Sequence, residues 1–150
     1  MPVYNTPIKY LKEAIESVIN QHYTHWELCI ADDNSIEQKV KKILHTYTVK
    51  DPRIKVVYLQ ENGHIAAASN AALALATGSY ILLMDHDDLL APNCMAEIAL
   101  AINQSPTSEI IYSDEDKIDE QGRHQVPHFK PDWAPDHILS RNYIGHVTVL

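Results

Sequence analysis

Apolar and polar residues follow two rhythms along this chain, and the rhythm switches repeatedly. In "TPIKYLKEAIESVINQ" (6–21), Leu11, Ala14, Ile15, Val18 and Ile19 recur three and four apart, which predicts one apolar stripe on a helix. Thr6 is placed to cap that helix, and Pro7 suits its first position. "WELCIA" (26–31) is a short apolar run of strand character. "EQKVKKILHTY" (37–47) returns to the helical period, with Val40, Ile43, Leu44 and Tyr47 on one face, and Asp51–Pro52 breaks it. "IKVVYL" (54–59) predicts a strand and "ENGH" (61–64) a turn. "IAAASNAALALA" (65–76) predicts a third helix, closed by Gly78. "YILLM" (80–84) predicts a strand, and "APNCMAEIALAINQ" (91–104) a helix presenting Met95, Ile98, Ala99 and Ile102. "EIIYS" (109–113) predicts another strand. From 117 the rhythm fades, and "DEQGRHQVPHFKPDWAPDH" reads as a long ordered loop, a type often functional in compact domains.

Strands that alternate with helices imply an α/β fold: a three-layer α/β/α sandwich around a mostly parallel sheet. In open sheets of this kind ligands bind outside the carboxyl ends of the strands. Asp32–Asp33, then Asp85, Asp87 and Asp88, then Asp114, Glu115 and Asp116 all fall directly after predicted strands. These are eight of the 20 acids, and the topology rule brings them toward one edge. Carboxylates gathered there suit a hard divalent cation, Mg²⁺ or Mn²⁺, held together with substrate phosphates. Each group also has a plainer reading. Asp88 or Asn93 can cap the helix near Pro92, Asp32–Asp33–Asn34–Ser35 can be a turn and cap, and Asp114–Asp116 can be a surface turn.

The length of 150 residues fits a single domain. A net charge of -8 argues against a nucleic-acid or anionic-membrane surface as partner. Cys29 and Cys94 form no CxxC; Cys29 reads as a buried small hydrophobe, and the pair points to a reducing, cytoplasmic setting. No apolar run approaches the roughly 18 residues of a spanning helix. Nine histidines include no pair with convincing metal-ligand spacing, and His124 and His128 flank Pro127. His86 faces either a ligand or the sheet. Gly63 can let backbone approach a ligand, Trp26 reads as packing, and Trp133 suits stacking on a sugar face. "PVYN" (2–5) and "YIGHVTVL" (143–150) both look like cut strands, so the expectation is a piece truncated at both ends.

Five segments together resemble glycosyltransferase family 2, of the GT-A fold with its Rossmann-like nucleotide-binding half. They are "PVYN" (2–5), "ESVINQHYTHWELCIADDNS" (16–35), "ENGHIAAASNAALALATGSYILLMDHDDLLAP" (61–92), "IYSDEDKID" (111–119) and "FKPDWAPD" (129–136). The last two are similar to those of bacterial members that build O-antigen, rhamnan or other cell-surface polysaccharides. The resemblance implies inverting transfer of a sugar from a UDP- or dTDP-sugar to a saccharide or lipid-linked saccharide acceptor, with Mg²⁺ or Mn²⁺ as cofactor. It implies that Pro2 and Tyr4 pack near the donor base, that Asp33 accepts from the pyrimidine N–H, and that Asn70 faces the donor. Asp85-His86-Asp87 matches the DxD element, with Asp87 the preferred metal ligand, Asp85 near the ribose or sugar and second at the metal, and Asp88 as a helper. Residues 1–150 correspond to the donor-binding part, with 117–150 the start of the acceptor side. The family's general base falls beyond Leu150, and Glu115 or Asp116 would at most line the acceptor side. Cytoplasmic location at the inner membrane face, peripheral membrane association of a longer protein and an oligomer are compatible with this reading. The alternatives are a sugar-nucleotide and metal-binding module inactive alone, and a sugar-phosphate nucleotidyltransferase, which lacks its expected Gly-rich basic loop here.

Overall fold

The computed structural model describes residues 1–150. In chain order its elements are β1 (Pro2–Val3), α1 (Ile8–Ile19), β2 (Leu28–Asp32), α2 (Gln38–Lys50), β3 (Ile54–Tyr58), α3 (His64–Leu73), β4 (Leu82–Leu83), α4 (Cys94–Gln104), β5 (Ile111–Tyr112), β6 (Glu115–Ile118), β7 (His124–His128), α5 (Pro135–Ser140) and β8 (Thr148–Val149). β1, β2 and β3 form a parallel sheet in that order, with Pro2 opposite Ala31 and Leu28 opposite Ile54. Side chains alternate across a strand, and this alternation builds the layers. Leu28 and Ile30 meet Leu11, Ile15, Val40 and Leu44 of α1 and α2 in the main core. Ala31 on the opposite face meets Ala68 and Ala72 of α3. Three alanines let that helix lie close to the sheet, which brings the start of α3 beside the end of β2.

The rest of the chain departs from the reading of its rhythm. The strand expected over 80–84 shrinks to Leu82–Leu83 and is not part of the parallel sheet. It pairs antiparallel with β8, which also pairs antiparallel with β5. Backbone bonds in both directions between Ile81 and Leu150 extend the ladder at 2.9 and 3.0 Å. A cavity of about 1240 Å³ lies between β2 and β4, lined by Met1, Leu28, Cys29, Leu82 and α4. The expected face of α4, Met95, Ile98, Ala99 and Ile102, therefore lines this space, and no residue of that helix is fully buried. Cys29 is half-buried on the same cavity rather than sealed in the core.

Local expectations also shift. The Thr6 cap does not form: Pro7 takes the cap position, and the buried Thr6 hydroxyl has no partner. α3 stops at Leu73, and its last turn is completed by Leu75 N–H to Ala72 and Ala76 N–H to Leu73. The long loop after 117 is largely a hairpin of β6 and β7, turned at Gly122 with φ +77°. Two cross-ties hold the halves together. The buried Gln21 donates to Ala91 O at 2.8 Å and accepts from Met95 N–H at 2.9 Å. Glu27 accepts from Lys55, Thr77 and Gly78, joining β2, β3 and the segment after α3. No helix is long and apolar enough to cross a membrane.

Candidate functional site

The carboxyl ends of β1 and β2 are locked to each other before any ligand is considered. Asp33 N–H donates to Val3 O at 2.8 Å, and Asn5 N–H to Ser35 Oγ at 2.9 Å. Asn5, in the left-handed region at φ 48°, turns its side-chain oxygen back to Ile36 N–H at 2.9 Å. The two adjacent acids then part company. Asp32 is fully buried and accepts from Ser35 N–H at 3.3 Å, so it serves the turn. The Asp33 carboxylate accepts from Gly63 N–H at 2.8 Å, at the start of α3. Gly63 is required there, since a Cβ would lie 2.6 Å from Ala67 Cβ. The close approach that this glycine permits is thus to α3 and Asp33.

Pro2, Tyr4, Asp33, Asp85, His86 and Asp87 line one cavity of about 400 Å³. Two of the three acidic groups expected at one edge, Asp33 and Asp85–Asp87, meet in this cavity beside Pro2 and Tyr4, while Asp114–Asp116 do not line it; β4 does so although it joins a different sheet from β1. The half-exposed Tyr4 ring offers a stacking face. Asn70 lines the larger cavity, whose lining also includes Pro2, Asp85 and His146. Trp133 is exposed on the far segment, and Trp26 packs under the Arg53 guanidinium at 3.7 Å, with its own N–H unpartnered.

The carboxylates after β4 regroup in a way the sequence did not indicate. Asp85 Oδ2 lies 3.4 Å from His146 Nε2, and Asp88 Oδ2 lies 3.7 Å from His146 Nδ1. One ligand atom each from Asp85, Asp88 and His146 falls within 4.8 Å of the others. Asp87, the preferred metal ligand of the sequence reading, is outside that group; it lines the cavity with its carboxylate 3.6 Å from His86 Nδ1. That His86 nitrogen is buried without a hydrogen-bond partner. Burial pushes the Asp88 carboxyl above its ordinary range; His146 pulls it back, while Asp85, Asp87 and Glu115 push it further up. The group is therefore short of positive charge. Two carboxylates with one imidazole form a donor set that fits a divalent cation such as Mn²⁺.

The third acidic group is consumed by structure. Asp114 Oδ1 accepts from Lys130 N–H at 2.8 Å, Asp116 meets His124 at 2.8 Å, and Glu115 meets His128 at 3.1 Å. His124 and His128 thus pair with carboxylates across the hairpin. Of the residues that matter, His146 and Lys130 escaped the sequence reading. Only the Gly145–His146 pair, next to a strand, offered a signal, and it was weak.

The family model "Glycosyl transferase family 2" matches residues 1–148. The chain is 48% identical over 149 residues to an uncharacterized protein, y4gI, of Sinorhizobium fredii, covering 99% of this chain and 16% of that one. It is 35% identical over 149 residues to the O-antigen biosynthesis protein RfbC of Myxococcus xanthus, covering 99% of this chain and 12% of that protein. The crystal structure of S. aureus TarS 1-349 in complex with UDP-GlcNAc superposes with a TM-score of 0.70 at 29% identity, over 84% of this chain and 35% of that one. The chain thus spans less than a fifth of the two curated relatives.

Proposed function

The chain belongs to glycosyl transferase family 2, and from that premise we propose that it is the donor-binding part of an inverting enzyme that moves a sugar from a UDP- or dTDP-sugar to a saccharide hydroxyl in cell-surface polysaccharide synthesis. One observation carries this: Tyr4, Asp33, Asp85 and Asp87, from three separate strand ends, line one cavity. The similar TarS chain was crystallised with UDP-GlcNAc, which supports a uridine donor. The relative from Myxococcus xanthus is named for O-antigen biosynthesis, which supports the product class.

In this reading the Tyr4 ring packs on the pyrimidine. The Asp33 carboxylate, fixed by Gly63 N–H, accepts from the pyrimidine N–H. Asp85, Asp88 and Asp87 face the diphosphate side, where their charge would repel an anion unless a cation lies between. A divalent cation held by Asp85 and Asp88 would offset charge on the departing diphosphate. Transfer forms a bond from the acceptor oxygen to the anomeric carbon as the bond to the diphosphate breaks on the opposite face. The acceptor proton must pass to a base. Asp114, Glu115 and Asp116 are engaged by Lys130, His128 and His124, so none of the three is assigned as that base.

Titration calorimetry with UDP, with and without Mn²⁺, tests the reading. Wild-type chain should bind UDP more tightly with Mn²⁺. Asp33→Ala should weaken binding about 10-fold or more under both conditions, since a hydrogen bond to a charged group contributes roughly 1.5–3 kcal/mol. Asp85→Asn should remove only the gain from Mn²⁺. Wild-type chain that ignores UDP, or Asp33→Ala with wild-type affinity, would sink it.

A further inference from the structure

The Lys130 side chain is only 1% exposed, although the neighbouring Phe129 is 76% exposed. A buried ammonium is costly unless every proton is used. Its three protons go to Ile144 O at 2.6 Å, His146 O at 2.5 Å and Glu115 Oε2 at 3.4 Å. The same Glu115 oxygen accepts from His146 N–H at 3.1 Å, and Oε1 meets His128 Nδ1 at 3.1 Å. Lysine and glutamate thus grip the C=O and N–H of one residue, His146. Gly145, at φ +40°, makes room for the grip, because a Cβ there would lie 3.3 Å from the Glu115 carboxylate. Burial pushes the Glu115 carboxyl up, yet its bonds to His128, His146 and Lys130 outweigh that and hold it below its ordinary range. The carboxylate therefore stays charged at neutral pH.

An ion pair serving only stability could grip any loop. This one grips the peptide whose imidazole lies 3.4 Å from Asp85 and 3.7 Å from Asp88. We propose that Lys130 and Glu115 are positioning residues that clamp the Ile144–His146 backbone and so set the His146 imidazole as the nitrogen ligand of a divalent cation shared with Asp85 and Asp88. This rests on the donor-site reading, which calls for a cation at these carboxylates. It adds a ligand from the far end of the chain and a device that fixes it. Outer partners that orient a ligand typically change metal affinity 10–100-fold when removed.

Mn²⁺ alone is the probe, followed by electron paramagnetic resonance on the 150-residue chain. The free-ion signal gives affinity, and pulsed spectra detect nitrogen-14 bound to manganese. Wild-type chain should show nitrogen coupling. His146→Gln should lose it, and a coupling that survives there would come from His86 and overturn the assignment. Lys130→Met should lose or scatter the coupling although His146 is present, with Mn²⁺ affinity down about 10-fold. Glu115→Gln keeps the side-chain shape if Lys130→Met disturbs the hairpin, and should weaken Mn²⁺ binding by a smaller factor. Wild-type coupling and affinity in a folded Glu115→Gln would refute the clamp. Failure here leaves the donor reading standing if UDP still binds through Asp33. A chain that binds Mn²⁺ with nitrogen coupling but ignores UDP would instead fail the donor reading.

Discussion

Asp33 and His146 reach the same edge, but different forces hold them there. Asp33 stands on a sheet whose neighbours Val3, Ile15, Ile30 and Leu44 are all at 0% exposure. Around His146, between residues 109 and 150, only Tyr143, Thr148 and Val149 are buried as whole residues, beside the buried Lys130 side chain, while Leu139 is 85% and Phe129 76% exposed. The first region is an apolar core that carries a polar residue on its rim. The second is a polar clamp on a surface with little core. Burial scales with apolar area and tolerates small errors of geometry, whereas a clamp of hydrogen bonds fails when one partner is lost. One half of the site is thus secured by bulk and the other by a few contacts.

Leu44→Ala should have the largest effect on that contrast. Removing a fully buried leucine costs roughly 2–5 kcal/mol, read from urea unfolding. A loss under about 1 kcal/mol would show that the first region does not depend on its core. Tyr143→Phe is the matching change in the second region. Its hydroxyl accepts from Ala134 N–H at 2.9 Å, and its ring stacks on His137 at 4.7 Å. The ring is kept, so only the hydroxyl's contacts with Ala134 N–H and the Tyr112 side chain are lost, and the cost should be about 0.5–1.5 kcal/mol per bond. A much larger loss would mean the second region is more cooperative than its exposure suggests.

Glu27→Gln is expected to have the smallest effect of the three, a loss of stability present at neutral pH that disappears in acid. The Lys55 hydrogen bond, helped by Thr77 N–H and opposed by burial, holds the Glu27 carboxyl at about 2 against an ordinary 4.5. A depressed carboxyl contributes stability that is fully present above 4.5 and is lost as the pH falls toward 2. Wild-type chain should therefore lose stability more steeply than Glu27→Gln across that window, followed by urea midpoints at several pH values. Equal slopes would remove Glu27 as the polar tie of the apolar region.

The same contrast explains what could be read from the residues alone. The stripe Leu11–Val18 and the run Leu28–Ala31 repeat at the helical and strand periods because they face one core, so their elements and layers were legible. Asp33 was legible as the residue after such a strand. The pairing of Leu82–Leu83 was not, since a two-residue ladder with Thr148–Val149 leaves no periodic trace. The β6–β7 hairpin hid behind its charges and Pro127, which an edge strand tolerates; Gly122 was its one turn signal. Lys130 and His146 were invisible because a clamp is set by where the backbone passes, not by spacing.

His146 follows Glu115 by 31 residues, and both follow the residues that line the cavity of Tyr4 and Asp33. Chains fold from the N-terminal side as they are synthesised. On the ribosome, the pocket of Tyr4, Asp33, Asp85 and Asp87 is complete in sequence well before the nitrogen and its clamp emerge. Yet β4, which leads into Asp85 and Asp87, pairs with Thr148–Val149 of β8, so that side of the cavity is assembled only once the segment carrying His146 has also been made.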